Sequence, residues 1–336
     1  MTSIPPGRPG RCPSSSRLDS RTRPGGDARP RDGCVGGVRS RRARRGALGG
    51  DGSTWLPGMA RACTLSYETI DVFTNAAAGG NPLAVVFVPD GLELSAAQML
   101  KITSEFNYSE STFVFPPIDP ANTARVRIFT PATEIPFAGH PNVGTAAVLA
   151  RRGECFGKSI GEEVIFEEAA GLVPVKIERG EHGVVGATLT APQSFVTAGT
   201  LECAEVAAAI GLTCADIRTA HHAPTVASVG LPFVLTELSS REALERSCNV
   251  VSEFSNGSEQ LEAVGKILCY VRAEPGDNVD IRARMFTKRG NEDPATGSAN
   301  CALLGLLASL DNSTSEYIET LQLKIAQGVE MGRPSL

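Results

Sequence analysis

The chain has 336 residues, of which 42% are hydrophobic and 21% charged, and its formal net charge is −5. That is an ordinary globular composition, long enough for two domains. No apolar run approaches the roughly 18 residues of a membrane span. The nine Cys form no C-x-x-C pair, and four His (His140, His182, His221, His222) are too scattered for a metal constellation. A membrane partner, a disulfide framework and a metal site are therefore not expected, and a reducing, cytoplasmic compartment is.

Residues 1–62 carry 13 Arg, no Lys and 4 acids, a surplus of nine positive charges, so the rest of the chain holds −14. An acidic body disfavours nucleic acid as a partner. The tail is rich in Arg, Gly, Pro and Ser and buries too little to fold, so disorder is expected there. Three readings stand open: an organelle transit peptide, a basic RNA-binding arm, or an over-extended gene reading whose start is Met59.

Order is expected from Leu65. Strands are predicted at Leu65–Phe73 and Leu83–Val88, with a turn at Gly79–Pro82 between them. Ser95 caps a helix to about Phe106. Strands follow at Thr112–Phe115 and Arg125–Thr130, then a loop and a small-residue helix from Asn142 to about Arg151. Short strands near Glu163–Glu168, Val173–Glu178 and Val184–Ala191 imply a largely antiparallel sheet. Residues 65–191 thus read as an N-terminal domain, 192–201 as a connection and 202–326 as a C-terminal domain. The latter has helices at Glu202–Ile210, Arg241–Ser247 and Ser258–Ile267. Its strands are predicted at Ala215–Ala220, Thr225–Val229, Phe233–Leu238, Leu268–Ala273, Asp280–Thr287 and Leu321–Ala326. Residues 327–336 have the character of a loop beside an active site, clipped short.

One pattern occurs twice. Arg127-Ile128-Phe129-Thr130 precedes Glu134-Ile135-Pro136-Phe137-Ala138-Gly139-His140; Arg284-Met285-Phe286-Thr287 precedes Glu292-Asp293-Pro294-Ala295-Thr296-Gly297-Ser298. Each reads R-[IM]-F-T, then E-x-P-x-x-G-[HS], then an apolar helix, which implies two related domains. The uncharged run Ala299–Leu310 should be buried on every side. A helix start exposes unpaired N–H groups that suit a carboxylate. If the two loops face each other, His140 meets Asp293 and Ser298 across an interdomain cleft, a common small-molecule site.

Glu110, among Ser109, Ser111 and Thr112, is a candidate proton-transfer group if a low-dielectric cleft raises its pKa. Each candidate has an ordinary alternative: a solvated carboxylate for Glu110, a structural hydrogen-bonder for His140, a turn former for Asp293, an N-cap for Ser298. A serine hydrolase is disfavoured because Ser298 lies in T-G-S-A-N and not in G-x-S-x-G. The P-loop pattern is absent.

The motifs Asp71-Val72-Phe73-Thr74 with Gly80-Asn81-Pro82, N-Y-S-E-S-T-F-V, F-A-G-H-P-N-V-G-T-A, E-D-P-A-T-G-S-A-N and Q-G-V-E-M-G-R-P-S resemble the phenazine biosynthesis PhzF-like family, from about Ser66 onwards. The resemblance implies a diaminopimelate-epimerase-like fold of class α+β: two pseudo-repeat domains, each a β-barrel-like sheet around a central helix. It implies cofactor-independent proton transfer on a small carboxylate-bearing substrate, in a homodimer. Glu110 would be the general acid/base, with His140, Asp293 and Ser298 orienting substrate. Gly139, Asn142, Gly297 and Ala299 at the helix starts would bind it. Related racemases use two opposed thiols; neither loop here offers one, so isomerisation by a single Glu is expected. The competing reading is a non-catalytic ligand-binding or scaffold protein of the same fold.

Overall fold

The computed structural model describes residues 39–40 (backbone only), 64–181, 183–191, 193–311 and 321–336. The rest of the tail, with the readings placed on it, His182 and Pro192 lie outside the described residues. Within the tail, Arg39–Ser40 pairs antiparallel with Ile70 and Asp71, so disorder does not hold for those two residues.

Two curled sheets each hold a helix, an α+β architecture. The first runs, in spatial order after Arg39–Ser40, through Ser66–Val72, Asn81–Phe87, Glu110–Phe115, Ala124–Phe129, Glu163–Glu168, Gly171–Gly180 and Gly183–Leu189. It is antiparallel except where Asn81–Phe87 meets Glu110–Phe115 and Ala124–Phe129 meets Glu163–Glu168. The first of these parallel pairs needs a crossover. Helix Ala96–Phe106 supplies it, started by a Ser95/Gln98 capping box. The first core helix, Gly139–Arg152, is buried from His140 to Ala150. Gly144 lets it come so close: a Cβ there would lie 2.6 Å from Leu83 Cδ2 and 2.7 Å from Val72 Cγ2.

The second sheet runs Val196–Thr200, Thr225–Ser228, Pro232–Glu237, Lys266–Arg272, Ile281–Thr287 and Glu292–Asp293, with Ile325–Gln327 parallel to Ile281–Thr287. The second core helix, Gly297–Asp311, packs Ala299, Ala302, Leu303, Leu306 and Leu307 into a cluster with Phe233, Leu235 and Met285. Its uncharged sequence predicts burial on every side, but Cys301 and Ser309 are exposed. The first helix is covered by three strands that follow it, Glu163 to Leu189. Among the described residues the second helix is followed only by Ile325–Gln327.

The repeated motif has a physical reading. In each copy the strand that carries the R-x-F run pairs with a two-residue strand that opens on the Glu. Arg127 grips Glu134 through two bonds of 2.7 and 2.6 Å, and Arg284 grips Glu292 through two of 2.9 and 2.8 Å. Each guanidinium also lies over the Phe two residues on, at 5.3 and 4.9 Å from the ring centre. These clasps fix where each loop leaves its sheet and so aim the helix starts.

Two predicted segments differ, and one helix is not expected from the sequence. Val196–Thr200, inside the expected connection, is an edge strand paired with Thr225–Ser228. Cys214–Asp216 is a 3-10 turn where a strand is expected. Thr213 donates its backbone N–H and its hydroxyl to Asp216, a local closure that competes with sheet pairing. Helix Val251–Asn256 has no side-chain cap and goes unforeseen; Phe254 anchors it in the core.

Residues 328–336 run back to the first sheet. Arg333 donates to Asp71, Gly79 and Gly80 at 2.9–3.0 Å, Gly80 N–H donates to Pro334 O, and Leu336 N–H donates to Phe73 O. Ser335 Oγ meanwhile bonds Pro294 O at 2.9 Å. The segment therefore straps the D-V-F-T turn of one half to the E-D-P loop of the other.

Candidate active site

The two helix starts do face each other. A Cβ built on Gly139 would lie 3.8 Å from the backbone nitrogen of Ser298, and one on Gly297 would lie 3.2 Å from the Phe73 ring. Phe73 holds φ at +59°, a costly conformation for an aromatic residue. A cleft of about 350 Å³ opens between the halves, walled by Phe73, Phe137, Val143 and Leu189 and floored by Gly139, Thr296, Gly297 and Ser298.

Glu110, His140 and Asp293 do not line that cleft; they belong to a polar cluster drawn from both halves, which meets the cleft floor through Thr296 and through Gly139, the neighbour of His140. Glu110 opens its strand, and 19% of its side chain is exposed. Its Oε2 is 3.4 Å from His140 Nε2, on the first turn of the first core helix. Asn81, wholly buried, sits 3.3 Å from His140 Nδ1 through its Nδ2. The same Nδ2 donates to Asp293 Oδ1 at 2.7 Å and Ala295 O at 3.1 Å. Thr296 Oγ1 donates to Asp293 Oδ2 at 2.5 Å, and Gln327 Nε2 donates to Asp293 O at 2.7 Å. Glu110, His140 and Asp293 are thus joined in one network.

Burial sets the proton distribution. It raises Glu110 from the ordinary carboxylate range to about 8, helped by the negative charge of Asp293. Ser109 lies beside both Glu110 and Asn81 Oδ1, which it approaches to 2.6 Å; its one hydroxyl proton serves one of them at a time. Burial also raises Asp293, but the donors Thr296, Asn81 and the Ala295 backbone hold it lower, near 6. At neutral pH the two carboxyls therefore share one proton, chiefly on Glu110. Burial lowers His140 to about 3, so its imidazole is neutral.

The remaining candidates are placed differently. Ser298 lines the cleft but is outside the hydrogen-bonded cluster. Gly139 and Gly297 also line the cleft. Asn142 is wholly buried beside Glu168, with both polar side-chain atoms short of hydrogen-bond geometry. Ala299, expected to bind substrate, does not reach the cleft: its methyl is in the core and its N–H donates to Thr296 O at 3.1 Å. Among the described residues no group of His, Cys, Asp and Glu could hold a metal ion, and no helix is long and apolar enough to cross a membrane.

Sequence reasoning flags Ser109 beside Glu110 but misses Asn81, Thr296 and Gln327 as members of the cluster, although all three fall inside motifs already singled out. Nothing local in Gln327 points to Asp293, 34 positions away.

A scan against family descriptions matches residues 70–336 to "phenazine biosynthesis-like protein". The chain belongs to that family. An uncharacterised isomerase of Mesorhizobium japonicum is 36% identical over 280 residues, covering 81% of this chain and 89% of the relative. The trans-2,3-dihydro-3-hydroxyanthranilate isomerase of Pseudomonas chlororaphis is 35% identical over 274 residues, covering 80% and 88%. In fold, the chain superposes on a Bacillus anthracis phenazine biosynthesis protein with a TM-score of 0.67 at 24% identity, covering 79% of this chain and 86% of that one. As a member of the phenazine biosynthesis-like family, alongside relatives named as isomerases, the chain is an isomerase.

Proposed function

We propose that this isomerase moves a proton between two carbons of a small carboxylate-bearing substrate, without a cofactor, using Glu110 as both base and acid. The observation that supports this reading is a mostly buried carboxyl, raised to about 8, 3.4 Å from a neutral His140 on the first turn of the first core helix. A general acid/base works best when its pKa lies near the working pH. The ionised fraction of Glu110 takes a proton from one carbon, breaking one C–H bond. The resulting Glu110 O–H returns it to another carbon, making one C–H bond, so the step balances without oxidant or reductant. The helix starts at Gly139 and Gly297–Ser298 hold the substrate carboxylate and stabilise charge that spreads into it. Phe73, Phe137, Val143 and Leu189 take the apolar body of the substrate.

Several relatives are named for trans-2,3-dihydro-3-hydroxyanthranilate, and a substrate of that general kind, a small hydroxylated or unsaturated carboxylic acid, is proposed here. Assembly as a homodimer is proposed from the family resemblance and is checked by light scattering. The function is tested by offering a panel of such acids to the enzyme in D2O. Deuterium should enter one carbon of a converted substrate with the wild type and not with Glu110→Gln. Binding of an acid that is recovered unchanged and unlabelled by the wild type would favour the non-catalytic reading.

A further inference from the structure

Asn81 is wholly buried and touches four partners from three segments of the chain: Ser109, His140, and Asp293 with Ala295 in one loop. Its amide orientation is fixed by chemistry. Nδ2 lies 2.7 Å from a carboxylate oxygen and 3.1 Å from a backbone carbonyl, which accepts only. Oδ1 lies 2.6 Å from the Ser109 hydroxyl, which can donate. Turning the amide over would set oxygen against oxygen at two of these contacts.

With that orientation, His140 Nδ1 faces an NH2 group at 3.3 Å. An amide nitrogen is no acceptor, because its lone pair is delocalised. A proton on Nδ1 would therefore point donor at donor, and the ring must carry its proton on Nε2. That nitrogen is the one 3.4 Å from Glu110 Oε2, and it has no partner within hydrogen-bond geometry.

We propose that Asn81 is a positioning residue that fixes His140 in the Nε2–H tautomer, so that the imidazole presents a donor to Glu110 or to a substrate oxygen placed between them. Its role as part of catalysis rests on the function proposed above; the tautomer itself does not. The consequence is a division of labour. A neutral His140 with Nδ1 facing Asn81 has no basic lone pair aimed at Glu110. It cannot compete for the mobile proton and serves as a hydrogen-bond donor. Asn81 also ties this choice to closure of the two halves, since the hydrogen that goes to Asp293 is what turns the amide the right way.

The direct test is the side-chain 15N spectrum of the full-length wild type at pH 7.5, with His140 signals identified by their loss in His140→Gln. A protonated Nε2 and an unprotonated Nδ1 are expected. The reverse pattern, or an even mixture, would overturn the proposal whatever the enzyme does catalytically. The second arm uses Asn81→Ala and Asn81→Asp. Either change frees Nδ1, and the carboxylate of Asp offers it an acceptor, so the Nδ1–H form should appear, most in Asn81→Asp. Deuterium wash-in should fall about 100-fold, the typical effect of losing one preorganised donor, mainly in kcat and with KM little changed. Retention of pure Nε2–H in both folded variants would show that Asn81 does not set the tautomer. If the wild-type tautomer is as stated but Glu110→Gln still exchanges at full rate, the function proposed above fails and the tautomer assignment stands.

Discussion

Replacing Glu110 by Gln should remove proton transfer and, at alkaline pH, stabilise the protein. The side chain is mostly buried and its pKa stands near 8 in the fold against 4.5 when unfolded. A raised folded pKa means the stabilising preference for the protonated form is complete below 4.5 and is lost as pH rises through 8. At about 1.4 kcal/mol per unit, the shift corresponds to an upper limit of ~5 kcal/mol. Partial exposure and coupling to Asp293 reduce this to something on the order of 2–4 kcal/mol. Gln keeps the shape and never ionises, so it escapes that cost. Urea unfolding at pH 5 and pH 9 should therefore show the variant gaining on the wild type by about that amount between the two pH values, while deuterium wash-in drops by about 100-fold or more. A stability difference that stays flat with pH would mean Glu110 is not held protonated by burial. Exchange at the wild-type rate would mean that it is not the base.

Other outcomes are expected from the same geometry. The activity of the free enzyme should rise with pH as Glu110 ionises near 8, and kcat/KM should show no inflection from His140 between pH 5 and 9, since burial keeps that ring neutral down to about 3; a His-type inflection abolished by His140→Gln would contradict this. Arg284→Met leaves Glu292 half-buried and unpaired and strips the guanidinium from the carbonyls of Leu244 and Ser247. It should cost roughly 3–5 kcal/mol in urea unfolding. Gly144→Ala drives a methyl into Leu83 and Val72, and should cost about 1–3 kcal/mol with a lowered Tm.

The sequence displays the duplication, most strands and the two core helices because each rests on local periodicity and on a motif repeated in the chain. Arg127 with Glu134 and Arg284 with Glu292 show why that motif survives comparison: each pair closes a hairpin seven or eight positions apart. The 3-10 turn at Cys214–Asp216 escapes because one Thr–Asp contact outweighs strand propensity. The exposed flank of the second core helix escapes because an uncharged run says what a helix could bury, not what is present to cover it. Glu110, His140 and Asp293 can be nominated from motifs, but Asn81 lies 212 positions from Asp293, and only the folded chain shows the amide between them.

The strap from Gly328 to Leu336 gives that arrangement a mechanical consequence. Because Arg333 holds Asp71 while Gln327 and Ser335 hold the loop of Asp293, a displacement of the first sheet would bear on the loop that carries Asp293 in the second half. Loosening this tether would weaken the contact of Asn81 with Asp293 while every participating side chain is still present. Loss of turnover in a variant far from Glu110 can therefore report a hinge that has come undone.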